Sequence, residues 1–448
     1  MKDENKEKDN DNMRLKSKPR FEGLDGLRGV AAITVVIFHI FEIFSGDPAH
    51  QIINHGYLAV DFFYALSGFV ISYAYDDRWN KMSLWDFYKR RLIRLHPLVI
   101  AGTFVGVCYY FLGESDVFPN IENVKPYAFF VTILLNILMI PTPKNFDIRG
   151  WGTTNAFDDT TWTLTYEYLI NILYSLIIRR LNNIIISILT ILSAFLTINL
   201  TMNFDLFNVF TNRDSRRYTV IGGWEISTCE IYIAFARLFY PFFSGYLISR
   251  LKLKIQLPYS FIICSIILIT CLSCPRMIDE SKWFTNGIYE TIVIIIIFPI
   301  ILIIGAGDKE QNENIIKICK FLGDFSYPLY ITHIPLIYCL YAWRYFHKDD
   351  QKFNAISVCV GSFLIMIFNA YALIKLYDEP VRKWLSEKYL IKKKKEEEKE
   401  KEKDNNMNEN FPKDDIKEKY KIIDESPNDI EDESKNNKLL DENNVNES

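Results

Sequence analysis

Residues 21–39 read FEGLDGLRGVAAITVVIFH. The run is apolar enough to enter a bilayer, yet it carries Arg28 near one end and His39 eleven residues later. An α-helix turns about 100° per residue, so the two side chains return to nearly the same face, about 16 Å apart along the axis. An ionisable group inside a bilayer is expensive unless it is paired or hydrated, and it marks a substrate path or a proton-handling site. A cation and an imidazole on one stripe of a membrane helix set the frame for the rest of the chain.

Composition supports a membrane setting once the tail is separated. The chain has 448 residues, 49% hydrophobic and 24% charged. Residues 392–448 hold 13 lysines and 19 acidic residues, leaving 38 basic and 36 acidic residues for the remaining 391. The body is therefore more apolar than the mean, and its charges fall between long apolar runs. Net charge gives no sign of nucleic acid, and no nucleic-acid partner is expected. No cleavable leader is legible: the first 20 residues are polar and no A-x-A-like site follows the first apolar run. Of the eight cysteines, Cys271 and Cys274 form a lone C-x-x-C, read as incidental, and no metal site is expected.

Eleven apolar segments are predicted, near 27–44, 56–75, 95–113, 127–141, 162–178, 183–200, 231–250, 258–273, 287–305, 326–344 and 354–377. Lys and Arg in short loops favour the cytoplasm. Lys16, Lys18 and Arg20, then Lys89, Arg90, Arg91 and Arg94, and finally Lys392 to Lys395 read as cytoplasmic. With both termini inside, 95–113 and 127–141 together supply one crossing. The expectation is an all-α polytopic integral membrane bundle of about ten transmembrane helices, with 127–141 re-entrant, interfacial or half-depth. Residues 1–20 read as a disordered cytoplasmic arm, 21–385 as the membrane domain, and 386–448 as a charged, largely disordered tail.

Several polar residues inside these segments are candidates for chemistry. A neutral imidazole at His39 suits general-base work on a hydroxyl, or helix-to-helix hydrogen bonding. Arg28 reads as an interfacial anchor or as a cation aimed at an anionic substrate, with Asp25 as its partner or as a helix cap. Asp61 is balanced between structural pairing and site, and Ser67 and Gly68 read as packing. The loop RWNKMSLWDFYKRRLIRLHP carries Arg90 and Arg94 on one helical face, with Arg91 adjacent, before Pro97 restricts the turn into the next helix. Guanidinium groups grip phosphate, while the same cluster also fits positive-inside topology. Thr163, Glu167, Asn171 and Tyr174 form a polar stripe, and Glu167 needs a partner for which His39 is the candidate. Ser326, Tyr330 and His333 share a face of the tenth segment, where Pro335 could open a cavity. His333 reads as helix glue or as a second proton group.

Taken in order, LDGLRGVAA…VVIFH, GYLAVDFFYALSGFVIS, FYKRRLIRLHPL, TWTLTYEYLI and SYPLYITHIPLI resemble the motifs of the membrane-bound acyltransferase family 3, which acylates surface carbohydrates. The resemblance spans about residues 20–385. It implies a ten-helix core that takes an acyl group, usually acetyl, from cytoplasmic acyl-CoA and passes it to a hydroxyl of a carbohydrate or glycolipid. No permanently bound cofactor is implied; acetyl-CoA is a donor substrate. Carried onto this chain, His39 corresponds to the family's essential histidine and Arg28 to its arginine. Arg90, Arg91 and Arg94 correspond to the donor-associated basic loop, and Glu167 to the acid of the W-T-L-x-x-E segment. His96 stands where the family commonly has an aromatic residue, and the hydrolase-like domain appended in some members is not expected here. Coenzyme A is polyanionic, which fits the basic loop; His39 then acts as general base or as an acyl relay. The implied location is the plasma membrane. Two competing classes use the same residues: an ion-coupled secondary transporter running through Arg28, His39, Asp61 and Glu167, and a receptor or scaffold with a polar helix core.

Overall fold

A computed structural model describes residues 18–45, 51, 53–210, 213, 216–308, 312–347 and 352–391. The expected arm, apart from residues 18–20, and the tail from Lys392 lie outside the described residues, as does His50. The described part is helical; its one β-feature is an isolated bridge between Thr153 and Glu225. We number the helices α1 (Glu22–Ser45), α2 (Ala59–Tyr75), α3 (Leu84–Tyr109), α4 (Pro126–Ile137), α5 (Thr161–Leu176) and α6 (Asn183–Thr201). There follow α7 (Thr228–Arg250), α8 (Ser260–Ser273), α9 (Phe284–Ile292) and α10 (Phe298–Ala306), the last two joined by a π-turn. The chain continues through α11 (Glu313–Phe346), α12 (Lys352–Leu373) and α13 (Glu379–Ser386), again with a π-turn before α13.

Among the described residues seven helices are long and apolar enough to cross a membrane by length and composition alone. The chain is an all-α polytopic membrane bundle. Helix directions settle how the shorter elements fit. Arg28 meets Ser326, the His39 and His333 rings lie together, and Arg344 sits over Phe44, so α11 runs parallel to α1. Tyr327 donates to the Leu95 carbonyl, and Cys339 to that of Tyr109, so α3 runs in the same sense. Tyr64 reaches Thr163, Ser67 reaches Glu167 and Tyr174 reaches Asp76, which makes α5 parallel to α2. Helices α3 and α5 thus run in opposite senses, and α4 between them makes no net crossing. Its 12 residues span about 18 Å, well short of an apolar core of about 30 Å. The expectation that 127–141 is re-entrant, interfacial or half-depth, with no full crossing of its own, agrees with this geometry.

Two expectations are corrected. The basic stretch before Pro97 is no loop. Helix α3 starts at Leu84 under a Ser83–Asp86 capping box and runs through Pro97 without a turn. A proline inside a helix removes one backbone hydrogen bond, and the packing around the buried Pro97 and Leu98 holds the helix together across it. Helix α11 likewise passes through both Pro328 and Pro335 and starts at Glu313, well before Ser326. The cavity described below is lined by Pro328; Pro335 is not among its lining residues.

Packing between central helices is backbone-close. A Cβ on Gly29 would strike Leu322, and one on Gly323 would strike Asp25, so α1 and α11 touch along their small residues. Helices α2 and α7 cross in the same way, Gly68 against the Phe242 carbonyl and Gly245 against that of Ala65. The packing reading of Gly68 agrees with this contact.

Candidate functional site

Helices α1, α2, α3, α5 and α11 enclose a cavity of about 480 Å³. One end is basic, with Arg20, Arg78, Arg91, Arg94 and Arg382 among its walls. A second basic hollow of about 530 Å³ shares Arg20, Arg78, Arg94 and Arg382 with it and adds Arg90 and Lys383. We call this side the basic end. Chain ends 18–20 and 379–390 both reach it, since Arg20, Arg382 and Leu390 line the same hollow.

The basic cluster stands where α3 meets α5 and α13. Arg91 is buried and holds Glu167 through a 2.6 Å ion pair. Arg90 leaves its buried Nε without a partner. Arg94 faces the like charges of Arg91 and Arg28. Crowding of guanidinium groups around an open cavity is costly unless an anion joins them. Arg382 is paired with Asp378 at 2.5 Å on the last helical turn before α13. Arg28 is committed to the helix contact: its Nε donates to Ser326 Oγ and an Nη to the Gly323 carbonyl, each at 2.8 Å, and Asp25 lies 3.0 Å away. Asp25 is thus the partner of Arg28 and not a cap, because α1 begins three residues earlier.

Along the cavity the walls turn apolar, through Val60, Phe63, Leu98 and Leu164, and the deepest polar residues are Thr163 and Tyr330. Their hydroxyls lie 3.0 Å apart. His39 does not line the cavity. It lies past Tyr330, whose ring centroid is 6.0 Å from His333, which in turn is 5.4 Å from His39.

The expected pairing of His39 with Glu167 does not form. Glu167 is held by Arg91 and by Ser67 Oγ at 3.2 Å. His39 Nδ1 instead meets Glu42 Oε2 at 2.9 Å, one helical turn along α1. The spacing of three residues makes this the nearest carboxylate on the face, and H-x-x-E was legible in the sequence. Ser67, read as packing, is a polar wall residue bound to Glu167. Asp61 resolves toward structure: it is fully buried and paired at 2.9 Å with Arg237, which also binds the Tyr57 carbonyl. Arg237, in the α7 run IAFARLFYP, was missed because a single arginine in an apolar run gives no sign of its partner. The polar stripe of α5 finds partners at three of its four positions, with Thr163 on Tyr330, Glu167 on Arg91 and Tyr174 on Asp76, while Asn171 is buried with its amide unpartnered.

The arrangement has two halves: a cavity with arginines at one end and apolar walls beyond them, and an imidazole–carboxylate pair past Tyr330. Among the described residues no group of acidic, histidine and cysteine side chains is placed to hold a metal ion. Fold and site together define a helical membrane protein with a basic cavity and, past Tyr330, two neighbouring imidazoles. A family model described as an acyltransferase domain, acyltransferase 3, matches residues 21–375, and the chain belongs to that family of membrane acyltransferases. It is similar to the O-acetyltransferase OatA of Staphylococcus aureus (strain NCTC 8325), 24% identical over 358 residues, which cover 77% of this chain and 56% of the relative. The chain thus matches little more than half the length of that relative. It is also similar to protein 2 in the picA locus of Rhizobium radiobacter, 32% identical over 163 residues, covering 35% of this chain and 81% of the relative. No solved structure matches.

Proposed function

We propose that this protein is an O-acyltransferase that moves an acyl group, acetyl by preference, from coenzyme A to a hydroxyl of a surface carbohydrate or glycolipid. The observation that carries the reading is the cavity itself: arginines line one end, apolar walls lead on to Tyr330, and His333 lies one turn beyond with the His39 ring beside it. Guanidinium groups suit the phosphates of the donor, and an apolar-walled cavity suits a pantetheine arm. The basic end is then cytoplasmic, in keeping with the positive-inside tendency, and both described chain ends lie there. The membrane concerned is the plasma membrane.

In this reading Arg90, Arg94 and Arg28 attract and orient the donor. Arg91 and Glu167 hold each other and shape the wall. Glu42, as a carboxylate, accepts from His39 Nδ1–H, which leaves the lone pair on Nε2. That nitrogen takes the proton of the acceptor hydroxyl as its oxygen attacks the thioester carbon. The carbon–oxygen bond forms, the carbon–sulfur bond breaks, and the thiolate recovers the proton. The relative named an O-acetyltransferase supports acetyl and oxygen as donor group and acceptor atom. An ion-coupled transporter would need mobile charges, whereas Asp61 and Glu167 are each tied to an arginine.

The test is alkali-labile acyl ester on surface glycans of cells lacking the protein, carrying it, and carrying His39→Ala at equal level. Ester present with the intact protein and lost in the variant is the expected result. Equal ester in the variant would remove His39 from the chemistry, and no protein-dependent ester or acyl-CoA consumption would sink the enzyme reading.

A further inference from the structure

Beyond the His39–Glu42 pair stands a second imidazole with a defined hydrogen-bonding state. His333 on α11 is fully buried. Its Nδ1 lies 2.9 Å from the Tyr330 carbonyl and 3.2 Å from that of Leu329. A carbonyl oxygen only accepts, so Nδ1 must carry hydrogen. In the neutral ring Nε2 therefore carries the lone pair. That Nε2 is buried and has no hydrogen-bond partner. A buried acceptor left empty is costly, and helix packing does not account for it: the packing role uses Nδ1 alone. The ring lies 5.4 Å from that of His39, tilted by 35°. His39 is in the same hydrogen-bonding state, with Nδ1 engaged by Glu42. Two imidazoles thus lie ring to ring, each with Nδ1 engaged, and the Nε2 of His333 is left without a partner.

We propose that His333 is a second proton acceptor of the transfer site, which holds jointly with His39 the proton released by the acceptor hydroxyl. The inference rests on the O-acyltransferase reading above. As the hydroxyl oxygen bonds to the thioester carbon, its proton passes to His39 Nε2. The positive charge that forms on His39 then lies beside the His333 ring, whose unpartnered Nε2 shares the proton. When the carbon–sulfur bond breaks, the proton goes to the coenzyme A thiolate and both imidazoles return to neutral. Sharing spreads a transient cation that burial would otherwise oppose. The Glu42 carboxylate on the other side of His39 stabilises the same charge. His333 acts through His39 and is a positioning residue in this step.

Asparagine separates this role from packing. The amide nitrogen of His333→Asn sits near the position of Nδ1 and still donates to the main-chain carbonyls, while nothing remains at Nε2. The experiment follows transfer of labelled acetyl from acetyl-CoA into alkali-labile ester, in membranes containing the native envelope. It uses the wild type, His39→Ala, His333→Ala and His333→Asn at matched levels of folded protein, scored by gel filtration in detergent. A proton-sharing role predicts that His333→Asn folds as the wild type does, loses about 100-fold in turnover, and keeps the KM for acetyl-CoA. Turnover of His333→Asn at the wild-type level, with His39→Ala inactive, would overturn the inference and leave the O-acyltransferase reading standing. A wild type without activity overturns both. If His333→Asn does not fold, His333→Gln decides: its amide oxygen accepts a hydrogen bond near Nε2 but takes no proton, so normal turnover there also overturns the inference.

Discussion

His39 illustrates how far a single residue can be read. Its place in a membrane helix and its alignment with Arg28 were legible from an eleven-residue interval and hold in the structure, where both face α11. Its partner was not read correctly. Glu167 matched the expectation by charge and depth, but depth along separate helices does not fix which faces meet, and Arg91 takes that carboxylate. Glu42 lay three positions from His39 and was overlooked in favour of a more distant acid. If Glu42 fixes the tautomer of His39, Glu42→Gln will lower turnover by about 10- to 100-fold with donor KM unchanged, measured on purified protein with labelled acetyl-CoA. Equal loss in KM would mean that the change spreads to the donor cavity. His55, in the connection between α1 and α2, gives a pH prediction. Burial pushes its pKa down from 6.5 to about 4, while its Nδ1 donates to the Cys274 carbonyl. The fold favours the neutral ring, so its contribution is complete above pH 6.5 and is lost as pH falls through 4. Thermal unfolding in detergent will therefore weaken over that interval, and His55→Asn, which keeps the donor, will flatten the dependence. A variant with the same slope as the wild type would assign the acid sensitivity to other groups.

At the scale of elements, hydrophobic runs gave helix order well and helix length poorly. The segment read as 95–113 is the latter part of a helix that begins at Leu84. Its first turns are charged because they leave the apolar layer, and Pro97 disguised the continuity. The consequence is functional, since Arg90, Arg91 and Arg94 sit on a rigid helix and not on a loop. A guanidinium held in place loses little freedom when an anion arrives. Arg94→Ala is expected to raise the KM for acetyl-CoA about 10-fold or more with turnover little changed, and the wild-type KM is expected to rise with salt. Steady-state kinetics at two ionic strengths checks both. An unchanged KM in the variant would exclude Arg94 from the donor path. Helix α13 was absent from the sequence reading as a wall of the site, because Arg382 and Lys383 resemble any basic flank of a last span. Only the folded chain brings them beside Arg94.

For the whole molecule, two buried ion pairs tie distant helices: Asp61–Arg237 between α2 and α7, and Arg91–Glu167 between α3 and α5. Breaking a buried pair on one side strands a charge, whereas removing both charges is milder. Asp61→Asn and Arg237→Gln should each lower the yield of folded protein, and the double variant should recover part of it, as gel filtration in detergent will show. A double variant worse than either single one would mean that Asp61 does more than balance Arg237. The helix directions also account for the topology. Helices α1 and α11 run parallel, and α4 makes no net crossing between α3 and α5. The expectation of about ten crossings came from apolar runs and charge placement together; among the described residues seven helices qualify by length and composition, and the described chain ends meet at one basic hollow, which fits an even number. The acceptor-side chemistry was less legible, because an unpartnered nitrogen such as His333 Nε2 is a property of three dimensions.

The parallel contact of α1 with α11 carries a consequence for biosynthesis. His39 and His333 are separated by roughly 300 residues, and at about 5–20 residues per second the ribosome needs roughly 15–60 s to make that interval. During this time a nascent chain has one imidazole and no companion. On the proposed O-acyltransferase reading, transfer competence therefore arises late, when the penultimate long helix joins the first, and a stalled or truncated product lacks the paired imidazoles.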